Sequence, residues 1–386
     1  GGDGVMAKLG DIATYINGYA FKPQDWSDEG IPIIRIQDLT GNSYQANRYN
    51  GEYASKYEVN DGDVLISWSA SLGVYVWHGE KAVLNQHIFK VVFDKERISK
   101  EFFVHQVGLI LENAASDAHG ATMKHLTKPV FDALPFYLPP YEKQCEIAGI
   151  LDKVTSLISL RKQQLAKLDE LIKARFVEMF GDPDQNPKGW PLVSVTEIIR
   201  DKASNGFFAK RDAYKDDGNV QILGVSNVVN RMYSNTKELP RTDATQAEKE
   251  KYSVKYGDML FCRSSLVADG IGKASIVAKG TFPNVLFECH VIRLSLDLQK
   301  CVPEFVQVLS TTPFFRRQII AQSKTATMTT IGQDGILKSS VVLPPIDLQN
   351  QFAAFVERVD QQKQIVQQSL EKLELMKKAL MQEYFG

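Results

Sequence analysis

The sequence lacks several features that would place it in a familiar class. Its 386 residues contain only four cysteines, and Cys145, Cys262, Cys289 and Cys301 show no CxxC spacing. Scattered single cysteines argue against a disulfide framework or a zinc site and favour a reduced, cytoplasmic protein. The chain also has no apolar run near the ~20 residues that a membrane-spanning helix needs.

The net charge is close to zero, and the familiar catalytic motifs are absent from the sequence. The formal net charge is −1, so a nucleic-acid-binding protein of this composition must concentrate its basic groups locally or borrow charge from partners. We find no phosphate loop, nucleophile elbow or HExxH helix. The string Leu138-Pro139-Pro140-Tyr141 resembles a methyltransferase motif, but its leading leucine cannot accept the hydrogen bond of a base amino group. His87 and His290 each lack a nearby second ligand, so no metal site is expected.

The most informative feature is an internal repeat. Leu138-Pro139-Pro140 recurs as Leu343-Pro344-Pro345, an offset of 205 residues that holds without a gap from residue 121 to residue 181 of the first copy. Further upstream the halves correspond loosely, as when Gly62-Asp63-Val64-Leu65-Ile66 resembles Gly257-Asp258-Met259-Leu260-Phe261. The chain therefore consists of two variable modules, each followed by a near copy of one constant segment.

The repeat predicts the domain boundaries. Residues 1–5 precede Met6 and are interpreted as a cloning remnant. The first module covers residues 6–140 and the first constant segment residues 141–181. The second module covers residues 182–345 and the second constant segment residues 346–386.

Each constant segment predicts one long helix, because strong helix formers follow the Pro-Pro pair without another proline. Apolar residues alternate at spacings of four and three, which is a heptad seam. A lone helix with one apolar stripe needs a partner, and the same chain supplies the equivalent stripe. Arg161, Lys363 and Lys377 interrupt the seam and can fix its register. The predicted seam residues are Ile147, Leu151, Val154, Ile158, Leu165, Leu168, Phe352, Val356, Val359, Val366, Leu370 and Leu373.

Each variable module predicts short strands and one amphipathic helix. Ser99 is expected to cap a helix through Leu111, and the helix of the second module is expected over residues 304–322 with a break at Pro313. The fold class is therefore α+β, with two α/β modules in a pseudo-two-fold arrangement separated by two long helices that form an intramolecular antiparallel coiled coil. Strands are predicted at residues 33–36, 64–66 and 88–93, and at residues 220–223, 259–261 and 291–294.

Loops of the modules supply basic, amide, hydroxyl and aromatic groups. Arg and Lys can hold phosphates or read guanine, and Asn and Gln can read adenine. Taken singly, each residue fits a solvated loop equally well, and Asn85-Gln86-His87 can either face DNA or cap a turn. The candidate DNA-binding residues are Lys22, Arg35, Gln37, Trp68, Ser69, Ser71, Asn85, Gln86, Lys124, His125, Lys210, Arg211, Arg263, Ser264, Lys324 and Thr329.

With these residues the whole chain after Val5 resembles the specificity subunits of type I restriction-modification systems. The resemblance is carried by Gly62-Asp63-Val64-Leu65-Ile66, by Asn85-Gln86-His87, by Gly120-Ala121-Thr122 ahead of Leu138-Pro139-Pro140, and by the long helices ending in Phe-Gly. The second module departs from the pattern, with Thr325 in place of a frequent glycine and Glu288-Cys289 in place of Asn-Gln.

The resemblance implies that each variable module is a target recognition domain for one half of a bipartite double-stranded DNA site. It implies that the paired helices fix the unspecified gap between the half-sites. It further implies two methyltransferase (M) subunits that modify adenine with S-adenosylmethionine, and restriction (R) subunits that use ATP and Mg²⁺. No catalytic residue, cofactor or membrane contact is expected on this chain.

Two other interpretations remain open at this point. One is a duplicated protein-binding scaffold whose modules grip peptides or a symmetric partner. The other is a nuclease or methyltransferase of unrecognised type, because two carboxylates and a lysine are weak signals in any sequence.

Overall fold

A computed structural model describes residues 4–41, 47–69, 71–117 and 127–386. By their contacts the residues form two compact units, Gly1–Lys162 with Gln368–Gly386, and Gln163–Gln367. Each unit thus combines one variable module with stretches of both constant segments.

The first unit begins with the first module and continues into a long helix. Its strands are β1 (Val5–Lys8), β2 (Thr14–Asn17), β3 (Ile31–Ile34), β4 (Arg48–Tyr49), β5 (Glu58–Val59), β6 (Val64–Ser67), β7 (Gly73–Val76), β8 (Ala82–Leu84), β9 (Ile88–Val92) and β10 (Pro135–Leu138). Its helices are α1 (Leu9–Ile12), α2 (Ile36–Leu39), α3 (Lys100–Asp117), α4 (Lys128–Asp132) and the beginning of α5 (Tyr141–Phe180). Val5, which the sequence assigned to a remnant, pairs with Leu138 in the β1–β10 ribbon.

The second unit follows a broadly similar order of elements. Its strands are β11 (Leu192–Ser194), β12 (Ser204–Asn205), β13 (Val220–Leu223), β14 (Arg241–Thr242), β15 (Asp258–Cys262), β16 (Ser264–Ser265), β17 (Ala274–Ile276), β18 (Val285–Phe287), β19 (Val291–Ser295), β20 (Lys324–Thr325), β21 (Thr329–Thr330) and β22 (Ser340–Val342). Its helices are α6 (Gln246–Tyr252), α7 (Pro303–Thr311), α8 (Pro313–Gln322), α9 (Gln333–Leu337) and the beginning of α10 (Ile346–Phe385).

Both units contain the same four-stranded antiparallel sheet. Its strand order is β2-β9-β6-β7 in the first unit and β12-β19-β15-β17 in the second. Leu65 lies opposite Lys90, and Leu260 lies opposite Arg293, so the register repeats as well. A second small sheet in each unit contains a parallel pair, β3 with β8 and β13 with β18. The two modules are therefore copies of one fold despite their divergent sequences.

The repeated Gly-Asp motif has a structural role in both sheets. Gly62 and Gly257 have φ angles of +84° and +93°, which a residue with a Cβ rarely adopts. The Asp63 and Asp258 carboxylates then accept the backbone N–H of the residue three positions earlier, at 2.9 Å and 3.0 Å. In each module this turn leads directly into a central strand of the sheet, β6 in the first module and β15 in the second.

Most predicted elements are present, with shifted ends. The strand predicted over residues 33–36 ends at Ile34, because the Asp38 carboxylate accepts the Arg35 N–H at 2.8 Å and starts the one-turn helix α2. The Ser99 cap is confirmed, since its Oγ accepts the Phe102 N–H at 3.3 Å. The predicted break at Pro313 is also confirmed, and it divides one predicted helix into α7 and α8.

The two long helices run antiparallel within each unit. In the first unit Ile147 and Leu151 share a core with Leu380 and Phe385, while the Arg161 Nε donates to Ser369 at 3.1 Å. Residues later in α5 thus contact residues earlier in α10, as expected for antiparallel helices. In the second unit the rings of Phe176 and Phe352 lie 5.7 Å apart and Asp169 binds Lys363, in the same sense.

The predicted seam faces inward along both helices. Most of its residues are buried, and Leu165, Leu168 and Leu373 are half-buried. Arg161, Lys363 and Lys377 are half-buried at positions that interrupt the seam. Within α5 and α10, burial therefore follows the heptad pattern that the sequence predicts.

A buried glutamine ties each module to the first turn of its following helix. Gln144 accepts the Ser99 N–H at 2.9 Å and donates to the Pro139 carbonyl at 2.9 Å. In the second unit Gln349 makes the same pair of bonds, from the Val302 N–H at 2.9 Å and to the Pro344 carbonyl at 2.7 Å. Both side chains are at most 1% exposed. The Pro-Pro signal of the sequence thus marks a joint as well as a helix start.

None of the helices in the described ranges combines the length and apolar character that membrane crossing requires.

Candidate nucleic-acid interface

Three of the predicted loops of the first module meet at one junction. The Tyr19 N–H donates to the Leu84 carbonyl at 2.8 Å, and the Gln86 N–H donates to the Tyr19 carbonyl at 2.8 Å. A Cβ on Gly18 would lie 1.8 Å from the Asn85 carbonyl oxygen, so only glycine fits at this crossing. The loop after β2 is thereby held against the turn between β8 and β9.

Trp68 connects the third loop to this junction. Its N–H donates to the His87 carbonyl at 3.2 Å, and its indole Nε1 donates to the Asn17 side chain at 3.0 Å. The indole stacks on Phe89 with centroids 5.7 Å apart and meets the His87 ring at 4.9 Å. Trp68 is half-buried, so it supports the junction and still presents part of its surface.

The second module forms the same junction with different side chains. The Phe207 N–H donates to the Phe287 carbonyl at 2.7 Å, and a Cβ on Gly206 would lie 2.1 Å from the Glu288 carbonyl oxygen. Arg263 takes the place of Trp68, because its N–H donates to the His290 carbonyl at 2.9 Å. Equivalent backbone therefore carries unlike side chains in the two modules.

A small antiparallel sheet extends the junction of the second module. Strands β16, β21 and β20 place Ser264 and Lys324 opposite Thr330. The Ile331 N–H donates to the Arg263 carbonyl, which joins this sheet to the junction. The corresponding candidates of the first module, Lys124 and His125, lie outside the described residues.

The predicted DNA-binding side chains differ in accessibility. The exposed ones are Lys22, Gln37, Ser71, Lys210, Arg211 and Lys324. The half-buried ones are Arg35, Trp68, Asn85, Gln86, Arg263 and Ser264. Six candidates thus offer freely accessible polar groups, which is what phosphate contacts require.

Four candidates have structural roles that the sequence did not reveal. Ser69 is 5% exposed and Thr329 is 2% exposed, and the Thr329 hydroxyl pairs with Thr325 at 3.0 Å. As described, neither side chain is accessible to a base, so these two predictions need correction. Arg35 pairs with Asp38 at 3.3 Å, and Arg263 donates to the Cys289 carbonyl at 3.2 Å.

Exposed apolar side chains beside the predicted residues are what the sequence reasoning missed. Phe208 is 69% exposed, Leu266 is 82% exposed and Val267 is 65% exposed. Phe208 precedes Lys210 by two residues, and Leu266 follows Ser264 by two. Exposed apolar side chains of this kind can contact thymine methyl groups or wedge between base steps. In the sequence, the feature that could have identified them is an apolar residue inside an otherwise polar loop.

Two of the cysteines, Cys262 and Cys301, are buried and have the environment of structural thiols. Burial raises the pKa of Cys262, and it raises the pKa of Cys301 to about 12, so both stay protonated near neutral pH. Within the described ranges, no group of three or more His, Cys, Asp or Glu side chains is arranged to hold a metal ion.

A second candidate surface lies on the outer faces of α5 and α10. Leu160 and Met376 of the first unit are 56% and 52% exposed, and Leu171 and Ile365 of the second unit are 46% and 68% exposed. Leu160 matches Ile365, and Leu171 matches Met376, at the offset of 205 residues. We call each pair the outer apolar patch of its unit.

An interhelical ion pair accompanies each outer apolar patch. Lys162 lies 3.2 Å from Glu374, each two residues from a member of the first patch. Asp169 binds Lys363, each two residues from a member of the second patch. Each unit therefore presents an apolar pair beside an interhelical ion pair, although the lysines differ in position: the counterpart of Lys162 is Gln367, and that of Lys363 is Ile158.

Comparisons with known proteins show similarity to type I restriction-modification specificity subunits. Residues 3–170 match the family model described as "Type I restriction modification DNA specificity domain". The chain is 23% identical to the type I restriction enzyme EcoBI specificity subunit of Escherichia coli, over 91% of this chain and 78% of that protein. It is 21% identical to the type I restriction enzyme MjaVIII specificity subunit of Methanocaldococcus jannaschii, over 98% of this chain and 91% of that protein. In fold it is similar to the S subunit of a type I restriction-modification system from M. genitalium, with a TM-score of 0.58, 12% identity, and coverage of 100% of this chain and 96% of that chain.

Proposed function

We propose that this chain, which belongs to the family of type I restriction-modification specificity subunits, reads a bipartite DNA site with a fixed unspecified gap. Each variable module would read one half-site with the side chains around its junction. The chain would act without catalytic residues of its own and would supply specificity to partner subunits.

The observation that carries this proposal is the repeated junction with unlike side chains. Trp68 and Arg263 occupy equivalent positions, as do Asn85 and Glu288. The backbone that presents them is the same in both modules, so one docking geometry can serve two different sequences. Arginine favours guanine and carboxylates favour cytosine amino groups, whereas asparagine favours adenine. The two modules are therefore expected to read different half-sites.

Each half-site alone allows only modest discrimination between DNA sequences. Joining two modules that each read one half-site, which we call readers, overcomes this. A mismatched base pair costs about 1–3 kcal/mol, so a short half-site alone discriminates weakly. Joining two readers multiplies the discrimination through effective concentration, provided that the connection fits the spacing of both sites. The long seam of α5 and α10 is suited to such a connection because a coiled coil is stiff.

The chain is expected to work with methyltransferase and restriction subunits. We infer that two M subunits modify an adenine in each half-site with S-adenosylmethionine, and that R subunits use ATP and Mg²⁺. These cofactors would be held by the partners. The near-neutral charge of this chain is consistent with weak DNA binding in isolation, because backbone phosphate contacts dominate affinity.

Co-expression with the methyltransferase subunit encoded beside this chain tests the proposal. We expect N6-methyladenine to appear across the host genome in a split motif with one fixed gap. Replacing residues 182–345 with the second module of another specificity subunit should change one half-site only. Methylation without this chain, or a stable complex that methylates nothing, would contradict the proposal and favour a protein-binding scaffold.

The outer apolar patches are the expected docking sites of the two M subunits. Their equivalence in the two units suits two copies of one partner. The double variant Leu160→Glu with Ile365→Glu places a charge in each patch and should weaken copurification of M about tenfold or more. Circular dichroism should remain unchanged, because both side chains are exposed.

Leu298→Glu is the matched control, since Leu298 is 45% exposed and lies on the second module. It should copurify with M as the unmodified chain does. Undiminished copurification of the double variant would place the docking sites elsewhere.

A further inference from the structure

A cavity of about 390 Å³ lies within the second unit. Its walls come from α5, α7, α8 and α10, from the start of β17, and from the loop at residues 230–232. Its volume is in the range of small-molecule sites. A ligand in this cavity would contact the module and both long helices at once.

Basic side chains dominate the polar part of the wall. The basic residues are Lys173, Arg231, Lys273, Arg316 and Lys363. Two acidic residues, Asp169 and Asp269, also line the cavity. Asp169 binds Lys363, and Asp269 lies 2.8 Å from Lys273. Both carboxylates are thus already paired, and three positive charges remain in excess.

The three remaining cations are Lys173, Arg231 and Arg316. Within the described ranges of the chain, none of them forms an ion pair with a carboxylate. Arg231 donates only to backbone carbonyls, those of Val229 at 3.4 Å and Ser226 at 3.3 Å. Lys173 is exposed at the rim. The two carbonyl contacts do not neutralise the charge of Arg231, and Lys173 is exposed. Both side chains can therefore turn toward an anion at little cost.

Arg316 contributes a half-buried guanidinium to the wall of the cavity. Its Nη2 donates to the Asp269 carbonyl at 3.0 Å, whereas its Nη1 is buried and has no hydrogen-bond partner. Burial lowers the pKa of this guanidinium, although arginine remains charged at neutral pH. A buried donor without an acceptor is costly, and the guanidinium that carries it lines the cavity.

Apolar groups complete the wall. Ile172, Met232 and Val308 line the same cavity. A wall that combines excess positive charge with apolar side chains matches an organic molecule that carries phosphate groups, because guanidinium groups bind phosphate strongly. Inorganic phosphate alone would leave much of the volume unfilled.

We propose that this cavity binds a phosphorylated small molecule with at least two negative charges, held by Lys173, Arg231 and Arg316. Bound ligand would crosslink α7 and α8 to the long helices and stabilise the second module in its place on them.

Calorimetric titration of the full chain, purified with its methyltransferase partner, tests this proposal. The probes are pyrophosphate and ADP, with inorganic phosphate as the smaller anion. We expect saturable binding of one ADP or pyrophosphate per chain, with inorganic phosphate binding more weakly. Lys173→Ala and Arg231→Ala should each weaken binding by about tenfold or more, since each removes a charge-assisted contact. Higher salt concentration should weaken the binding of both ADP and pyrophosphate, because it screens the charges of ligand and cavity.

Lys237→Ala is the matched control, because Lys237 is an exposed lysine of the same unit outside the cavity. It should bind both probes with unchanged affinity. Failure of both probes to bind at millimolar concentration, or equal losses in the control, would overturn the proposal. A third arm titrates short duplex DNA of the methylated motif. Loss of DNA affinity in Lys173→Ala and Arg231→Ala without binding of either probe would overturn it too, by assigning the cavity to the DNA interface.

This test separates the cavity from the proposed function. If methylation maps show a split motif while neither probe binds, only the cavity proposal fails. If the probes bind and the chain confers no sequence specificity, only the proposed function fails.

Discussion

Inserting four helix-forming residues between Lys162 and Gln163 is expected to lengthen the unspecified gap of the methylated site, or to abolish methylation. The insertion adds one turn, which is about 6 Å at ~1.5 Å per residue. One base pair of B-DNA rises ~3.4 Å along the axis, so the added length corresponds to at most about two base pairs. The half-sites themselves should stay the same, because neither junction is altered.

Loss of methylation is the other expected result, and it has its own physical cause. A four-residue insertion moves one side of the seam relative to the other. The Arg161–Ser369 and Asp169–Lys363 contacts cannot then both keep their present partners. Each added base pair also rotates one half-site by roughly 35° about the DNA axis, since B-DNA has 10–10.5 base pairs per turn. Assembly survives only if the coiled coil and the DNA absorb these changes.

The matched control inserts the same four residues after Gly280, in an exposed loop of the second module. This change lengthens the chain and leaves α5 untouched, so the motif and its gap should be unchanged. N6-methyladenine mapping reads out both variants. A fully active complex with the original gap after insertion into α5 would refute the role of the helices as the spacer.

The helices and their pairing could be predicted from the sequence because their signals are local and repeated. The heptad spacing of Ile147, Leu151 and Val154 predicts which face is buried, and the structure buries it. The duplication supplies the partner, and the only open choice was the register. Arg161 and Lys363 set that register through Ser369 and Asp169, which no sequence pattern could single out.

The candidate site was harder to predict, since exposure depends on long-range packing. Thr329 and Lys324 both lie in a polar loop sequence, yet the pairing of β21 with β16 and β20 buries the first and exposes the second. The equivalence of Trp68 and Arg263 is visible in the sequence, because the match of residues 62–66 with residues 257–261 continues to them without a gap, although the two side chains share no chemistry. Their common backbone bonds to His87 and His290 show that both residues occupy the same place in the junction.

The divergence of the modules contrasts with the constancy of their joints. Gln144 and Gln349 make the same two bonds in modules whose reading loops share few residues. A joint that stays constant lets different modules be mounted on one helical spacer. Side chains at the junctions can then vary without disturbing the way in which the modules are held.

Gln144→Leu is accordingly expected to loosen the first module far more than its size change suggests. Leucine fills a similar volume, but it leaves the Ser99 N–H and the Pro139 carbonyl buried without partners. Each unsatisfied group costs about 1–3 kcal/mol, so the two together should cost the joint about 2–6 kcal/mol. That is a large share of the ~5–15 kcal/mol by which a domain is usually stable. Gln349→Leu should have the same effect on the second module, through Val302 and Pro344.

Hydrogen exchange locates the loss in the unit that carries the substitution. Amides at the start of α3 should exchange faster in Gln144→Leu, and those at the start of α7 should exchange faster in Gln349→Leu. Gln163→Leu and Gln368→Leu are the matched controls, because these two glutamines also recur at the offset of 205 residues but are exposed. Equal protection in the buried-site variants and the controls would show that the joint does not depend on the glutamine bonds. Faster exchange confined to one unit would instead establish that each module is held independently, which is the property that exchange of modules between specificity subunits requires.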